Sequence, residues 1–476
     1  MAGQGKKKDI RSALDCSPIK NADDAKCFLD FAQKFSEENI FALSKNEKFG
    51  LKLSDAPFAY INYKDSDRRA WTGRWIGQAT FVSSIDKKPV TLEITPRFGN
   101  LSIFSMIEES FSCNIVSSRG KHQSSADKQS LMDLLIPFIW AHKLSQANQY
   151  GVPHNNVKHI YKGPAIKGHL DVRKSIIPLF REHQVVSIKR EKQIDEPIAQ
   201  IITQAHKKLS AKIKTRLTPN AENALDGFYS MRFPQRFVSE SEYRKIHYKP
   251  IYYSFKDIVD FSWQIIKARK QAETDGNNES FSGFLDMAEI WEIFLRSVLR
   301  NNFSKLGWSI GSPSIDVYEN TFWKRKIIPD IVMEKGDDVV IFDAKWKKMD
   351  AMAGNVEHSD LDRSDFFQIH SYISYYKAQG KNVVLAGLLY PLGENFPIGP
   401  GATECSLWGL NEQTKFIVDG IRFKNQEKVK QEKNISNDED LYLAYKEEVK
   451  HNVKEFVDHL QDVLEERMVY FEKTTL

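Results

Sequence analysis

Cysteine is scarce in this chain, with four in 476 residues (Cys16, Cys27, Cys113 and Cys405). They are scattered and never fall at Cys-x-x-Cys spacing, which argues against a disulfide framework and a cysteine-ligated zinc module. Long apolar runs are also missing: none approaches the roughly 20 residues that cross a bilayer. The first residues are polar and lysine-rich, without the apolar centre of a secretion signal. Together these absences lead us to expect a cytoplasmic protein with no membrane partner. Gly-x-x-x-x-Gly-Lys-Ser/Thr occurs nowhere, so the chain carries no P-loop of its own. No internal repeat is visible. The net charge of +5 is too small to indicate nucleic acid by itself. The length suffices for about two to four domains with sizeable cores.

What is present is concentrated in one short stretch. Ile328-Pro329-Asp330-Ile331-Val332 and Val339-Val340-Ile341-Phe342-Asp343-Ala344-Lys345 are apolar, β-branched runs bounded by turn residues, the pattern of buried strands. Between them, Lys335-Gly336-Asp337-Asp338 fits a two-residue hairpin with glycine first, a type II′ turn. A turn centred on Gly336 and Asp337 sets Asp330 opposite Asp343, side chains on one face about 5 Å apart. Lys345, two residues on, shares that face, whereas Ala344 points away. A one-residue slip would break the arrangement. Two carboxylates so close resist joint ionisation unless a cation lies between them. Oxygen ligands suit a hard ion such as Mg²⁺, and a lysine beside them stabilises charge on a phosphate or orients water. The alternative is a surface hairpin with turn-flanking acids and a salt-bridged lysine.

The flanking segments add to this picture. Phe284 to Leu299 has helical period, with Met287, Ile290, Trp291, Phe294, Leu295, Val298 and Leu299 on one stripe. Glu292 falls at the margin of that stripe, within reach of an adjoining site, and Glu289 points further toward solvent. Ser364-Asp365 reads as a helix start, followed by Phe366, Ile369, Tyr372, Ile373 and Tyr376 at helical spacing. Gln368 and Tyr372, four apart, stack on one face of that helix. Val383 to Tyr390 then reads as another buried strand.

This order of elements and residues resembles the PD-(D/E)XK nuclease superfamily, and more specifically the McrC family of nuclease subunits from McrBC-type restriction systems. The resemblance rests on Leu285-Asp286-Met287 through Phe294, Ile328 to Ile331, Phe342 to Lys347, and Asp365-Phe366-Phe367-Gln368 with Tyr372. Upstream, Thr91 to Arg97, Ile166-Lys167-Gly168-His169-Leu170-Asp171 and Asp195-Glu196-Pro197-Ile198-Ala199 are similar to further family segments. His169 stands where arginine is usual, and Ala199 where asparagine is common.

The resemblance implies an α/β multidomain protein whose αβββαβ core hydrolyses DNA phosphodiester bonds with Mg²⁺. Asp330, Asp343 and Glu292 would hold the metal, Lys345 would orient or activate water, and Gln368 and Tyr372 would support the site. It also implies that nucleotide hydrolysis belongs to a separate McrB-like AAA+ GTPase, stimulated by this chain. A nuclease working alone, and a non-catalytic adaptor that activates an NTPase, remain open alternatives.

Four regions are expected. Residues 1–160 form an α/β domain for partner or DNA contact, and 161–275 a helical linker domain. Residues 276–425 form the nuclease domain, and 426–476 an amphipathic helix with Val449, Val453, Phe456, Val457, Leu460, Val463 and Leu464 on one face. Lys207, Lys208, Lys212, Lys214 and Arg216 are either a phosphate-binding patch or a solvated helix face. Arg68, Arg69, Trp71, Arg74 and Trp75 are either a binding strip or core tryptophans with flanking bases. His154 and His159 are expected in a loop.

Overall fold

In the computed structural model the described residues are 9–43, 56–63, 68–85, 87–111, 131–210, 217–230, 236–274, 282–318, 326–347, 363–394, 396, 404–407 and 414–474. Lys212, Lys214, Arg216 and the polar connection 348–362 lie outside them. The chain divides into two compact units: Met1–Gln123 with Asp275–Asn277 and Ser282–Leu476, and Ser124–Thr274 with Asn278–Phe281. Both mix helices with sheets.

The first unit contains two main sheets. In the four-stranded one, Trp75–Val82 and Pro89–Thr95 pair antiparallel, and Asp9–Leu14 runs parallel to Pro89–Thr95. Its other edge is Gly283–Asp286, recruited from about two hundred residues downstream to pair with Trp75–Gln78. Helix Ala22–Lys34, capped by Asn21, buries Cys27, Phe28 and Phe31 against this sheet. The rings of Phe31, Phe58 and Phe284 interlock there, with centroids 4.9–6.0 Å apart. Trp75 is fully buried and therefore core, while Arg74 pairs with Asp286 at 2.9 Å.

The helix expected from Phe284 starts later. Gly283–Asp286 is a strand, and the helix spans Met287–Phe303, with the Asp286 side chain accepting from Ala288 N. A buried apolar strand running straight into a helix offers no break in hydrophobicity, so periodicity alone misplaced the boundary. The expected ordering of the two glutamates is also reversed. Glu289 is buried and accepts from Leu43 N at 3.0 Å, whereas Glu292 is half-buried. The cause is tertiary: Ile40 bridges to Phe284, so residues 40–43 cover the face that the helix alone would leave wet.

The second sheet has six strands in the order Ser309–Gly311, Ile331–Lys335, Asp338–Ala344, Asn382–Leu392, Lys415–Arg422 and Glu404–Ser406. Ile331–Lys335 and Asp338–Ala344 form the hairpin in the register that the turn predicts, with Ile331 opposite Phe342 and Lys335 opposite Asp338. Gly336 has φ +63° and Asp337 does not have positive φ, as a II′ turn requires. Asp338–Ala344 then runs parallel to Asn382–Leu392, joined by helix Arg363–Ala378. That helix buries Ile369, Tyr372, Ile373 and Tyr376 on the sheet beside Val332, Ile341 and Leu388.

Helix Asp438–Thr474 buries Val449, Phe456, Val457, Leu460, Val463 and Leu464, with Val453 half-buried. A polar latch fixes it: His459 bonds through Nδ1 to Asp419 (2.8 Å) and through Nε2 to Glu404 (2.7 Å). Lys415 pairs with Glu404 at 2.7 Å and with Glu466 at 3.6 Å.

In the second unit, helices Leu131–Ala147, Glu196–Ser210, Pro219–Ser230 and Phe255–Thr274 are its longest. A small sheet of His154–Gly163, Val185–Ile194 and His169–Leu170 carries helix Val172–Glu182, which Asp171 caps. His154 and His159 thus lie on a strand and not in a loop; ten paired residues outweigh their turn-like local composition. On the helix, Ser175 is buried and hydrogen-bonded to Val186, while Val172, Ile176, Ile177 and Phe180 are exposed. Sequence reading did not anticipate this outward apolar face.

Hydrogen bonds to Asp419 and Glu404 raise the His459 pKa to about 9, against the opposing effect of burial. Its folded-state pKa exceeds the unfolded value of about 6.5, so its stabilisation is complete below that pH and lost through about 9. Thermal scans between about pH 6 and 10 should therefore show a larger fall in Tm for the native chain than for His459→Gln. Equal falls would refute the latch.

Candidate functional site

The hairpin register does what its sequence implied for the two acids. Asp330 and Asp343 are buried, Asp343 completely, and Asp330 Oδ2 accepts a 2.8 Å hydrogen bond from Ala344 N. Lys345 lies just beyond the strand, with its backbone N donating to Leu389 O at 2.9 Å. Its Nζ is 2.5 Å from Asp343 Oδ2, 3.1 Å from Asp365 Oδ1 and 3.1 Å from Gln368 Oε1. An ammonium has three N–H donors, and here three acceptors surround it.

Gln368 and Tyr372 extend this contact as a directed chain. Tyr372 Oη donates to Ile328 O at 3.3 Å and accepts from Gln368 Nε2 at 2.8 Å. That fixes which end of the amide faces Lys345: the oxygen does, as a cation requires. Both residues therefore join the acid pair and the lysine at one place.

The electrostatics follow from burial. Desolvation, then the charge of Asp330, pushes the Asp343 carboxyl well above its ordinary range, with Lys345 opposing. Burial pulls the Lys345 ammonium down, but Asp343, Asp365 and Asp330 more than offset that, leaving it above its ordinary value. Desolvation raises the Tyr372 phenol as well, so it remains a neutral donor near neutral pH.

This donor set fits a hard divalent cation. Asp343 is a buried carboxylate beside a second carboxylate, and neither of its oxygens has an aligned hydrogen-bond donor among the described residues. Its contact with Lys345 is an ion pair without that alignment. Oxygen-only, charge-rich and incompletely satisfied, the pair matches what Mg²⁺ demands. Among the described residues no three His, Cys, Asp or Glu side chains stand together as a metal cage. Glu292, half-buried on helix Met287–Phe303, is thus not gathered with Asp330 and Asp343 into such a set.

Sequence reading gave three participants no role at the site. Asp365, read as part of a helix start and of a segment carrying the family resemblance but given no role, is buried and binds Lys345 with one oxygen and Lys347 with the other, the latter at 2.7 Å. Asp15, fully buried, accepts from Arg97 N (2.6 Å), Arg97 Nη1 (3.3 Å) and Trp346 Nε1 (2.6 Å). Arg97 also donates to Lys347 O at 3.2 Å, its guanidinium 4.6 Å from the Trp346 ring centroid. An acid close before Gln368 was a local signal for Asp365; separations of 82 and 331 residues hid Asp15 from any local pattern. A cavity of about 400 Å³ in the second unit, lined by Asp195, Glu242, His247 and Lys249 among others, includes none of these residues.

A buried pair of carboxylates and a lysine at the ends of two neighbouring interior strands define a class of site suited to phosphate chemistry. The comparisons then give the family. A model described as the McrBC 5-methylcytosine restriction system component matches residues 74–391, more than half of the chain, and the chain belongs to that family. No curated relative matches it. Among solved structures it is similar to a chain of the half-complex from a tetradecameric assembly of Thermococcus gammatolerans McrB AAA+ hexamers with bound McrC. That match has 14% identity, covers 93% of this chain and 99% of the other, and has a TM-score of 0.44. A chain in the cryo-EM structure of the Thermococcus gammatolerans McrBC complex is similar over 62% of this chain and 88% of its own length, at 14% identity and a TM-score of 0.34.

Asp343 carries a desolvation cost that an uncharged isostere avoids, and Asp365 and Gln368 still hold Lys345 when its charge is gone. In the absence of divalent cations, Asp343→Asn should raise Tm, corresponding to about 1–3 kcal/mol. A lower Tm measured by calorimetry would show that the Asp343–Lys345 ion pair outweighs its burial.

Proposed function

We propose that this chain is a Mg²⁺-dependent DNA endonuclease subunit of McrC type, working with an McrB-like AAA+ GTPase. The observation that carries the reading is the convergence of Asp330, Asp343 and Lys345 on one face of the hairpin. Helix Met287–Phe303, three strands of the six-stranded sheet, helix Arg363–Ala378 and strand Asn382–Leu392 follow in the order of a PD-(D/E)XK core, which supports assigning that fold.

Asp330 and Asp343 would hold the metal. When bound, Mg²⁺ supplies Lewis-acid stabilisation of a phosphate oxygen and a more acidic water. Lys345, held near the acid pair by Gln368, is positioned to orient the attacking water or to meet negative charge developing on phosphate. Tyr372 keeps the Gln368 amide turned the right way, so loss of its hydroxyl would loosen Lys345 indirectly. Lys347 lies on the more exposed side and suits a phosphate contact. Glu292, half-buried on helix Met287–Phe303, would complete or buffer the metal site.

The partnered reading draws on two further observations. The chain has no Gly-x-x-x-x-Gly-Lys-Ser/Thr, so nucleotide hydrolysis would have to come from another chain. The solvent-facing Val172, Ile176, Ile177 and Phe180 form the kind of apolar surface that protein partners cover. No described helix is long and apolar enough to cross a membrane.

The test is plasmid cleavage with Mg²⁺, comparing the native chain with Asp343→Ala, with and without the AAA+ partner and GTP. Cleavage that needs partner and nucleotide, and falls at least about a hundredfold in the variant, is expected. Variant-sensitive cleavage without the partner would indicate an autonomous nuclease. Stimulated nucleotide hydrolysis with no cleavage at all would leave the adaptor.

A further inference from the structure

Asp365 is the acid that neither the strand pair nor the metal reading uses. It lies in the first turn of helix Arg363–Ala378, where a negative charge is favoured by the helix dipole, and it is almost fully buried. Its two oxygens are divided between two lysines: Oδ1 is 3.1 Å from Lys345 Nζ, and Oδ2 is 2.7 Å from Lys347 Nζ. Those lysines differ in access, their side chains being 16% and 48% exposed. Lys345 Nζ donates to Gln368 and stands against Asp343 and Asp365 as ion-pair partners, so three acceptors crowd it. For Lys345 to reach a phosphate or a water, one acceptor must be exchanged.

Asp343 is held to that exchange least readily, because it is fully buried and its own charge needs the lysine. Gln368 is locked by Tyr372, whose hydroxyl in turn donates to Ile328 O. Asp365 is the acceptor that also faces an accessible lysine. A carboxylate presenting two oxygens to two ammonium groups has the chemistry of a phosphodiester presenting its two non-bridging oxygens. We propose that Asp365 is a positioning residue that holds Lys345 and Lys347 at the spacing of a DNA phosphate and yields them when the phosphate arrives. This rests on the nuclease reading above.

The two halves of the role have opposite signs, which makes them separable. Asp365→Asn removes a negative charge that competes with phosphate, and it also removes the anchor that places Lys345. The full-length variant should bind a short DNA duplex more tightly, by roughly two- to fivefold at low salt. Under conditions where the native chain cleaves, its kcat should fall by about tenfold or more while KM does not rise. Lys347→Ala, at a more exposed position, should weaken binding and reduce the salt slope by about one, and should reverse the gain when combined with Asp365→Asn.

Binding and cleavage falling together in Asp365→Asn, or both staying at native values, would overturn the proposal. So would a Lys347→Ala variant with unchanged affinity and salt slope, a result that does not depend on Asp365→Asn folding well. If the native chain itself never cleaves, with Asp343→Ala as the matched control, the nuclease reading fails and takes this one with it. If the native chain cleaves and only the Asp365 signatures are missing, the nuclease reading stands.

Discussion

The buried carboxylate of Asp343 is the constraint around which the C-terminal sheet is organised. Removing a charge from water costs several kcal/mol even after relaxation, and a second carboxylate beside it adds to the cost. Lys345 offsets part of this, and Asp365 and Gln368 then hold the lysine in place. Tyr372, itself tied to Ile328 O, holds Gln368 in turn. Each of these partners is satisfied in a direction that leads back to one carboxylate whose own oxygens lack an aligned donor. An arrangement built for stability alone would have put an apolar residue at 343.

The backbone on either side of Lys345 is fixed from two directions. Leu389 O accepts from the Lys345 amide and from Trp291 Nε1, tying the central parallel strand to helix Met287–Phe303. From the other side, Asp15 and Arg97 grip Trp346 and the Lys347 carbonyl. The first residues of the described chain thus take part in placing the lysine, although they belong to a different sheet. A charged, hydrogen-bonded junction of this kind transmits displacement, because its partners cannot slide without leaving buried groups unpaired.

The site was legible where its geometry is local. A glycine-first turn fixes hairpin register, and register with the two-residue strand period puts Asp330, Asp343 and Lys345 on one face. Gln368 and Tyr372 were legible for the same reason, since four residues on a helix is a fixed distance. Glu292 and Glu289 show where local reasoning stops. Their relative burial depends on residues 40–43, which no property of the helix itself reveals.

By itself the sequence determined the hairpin and its register, the helix carrying Gln368 and Tyr372, the lack of a P-loop, and family membership through motifs within those elements. These rest on short-range periodicities that survive without tertiary context. Only the tertiary structure decided that Gly283–Asp286 leaves the following helix to join a sheet of the N-terminal segment. It alone brought Asp15, Arg97 and Trp346 together, and it alone made Asp365 the shared acceptor of Lys345 and Lys347. It also turned Val172, Ile176, Ile177 and Phe180 outward. The physical reason is the same in each case: burial and long-range pairing depend on what covers a surface, and the covering segment can lie hundreds of residues away.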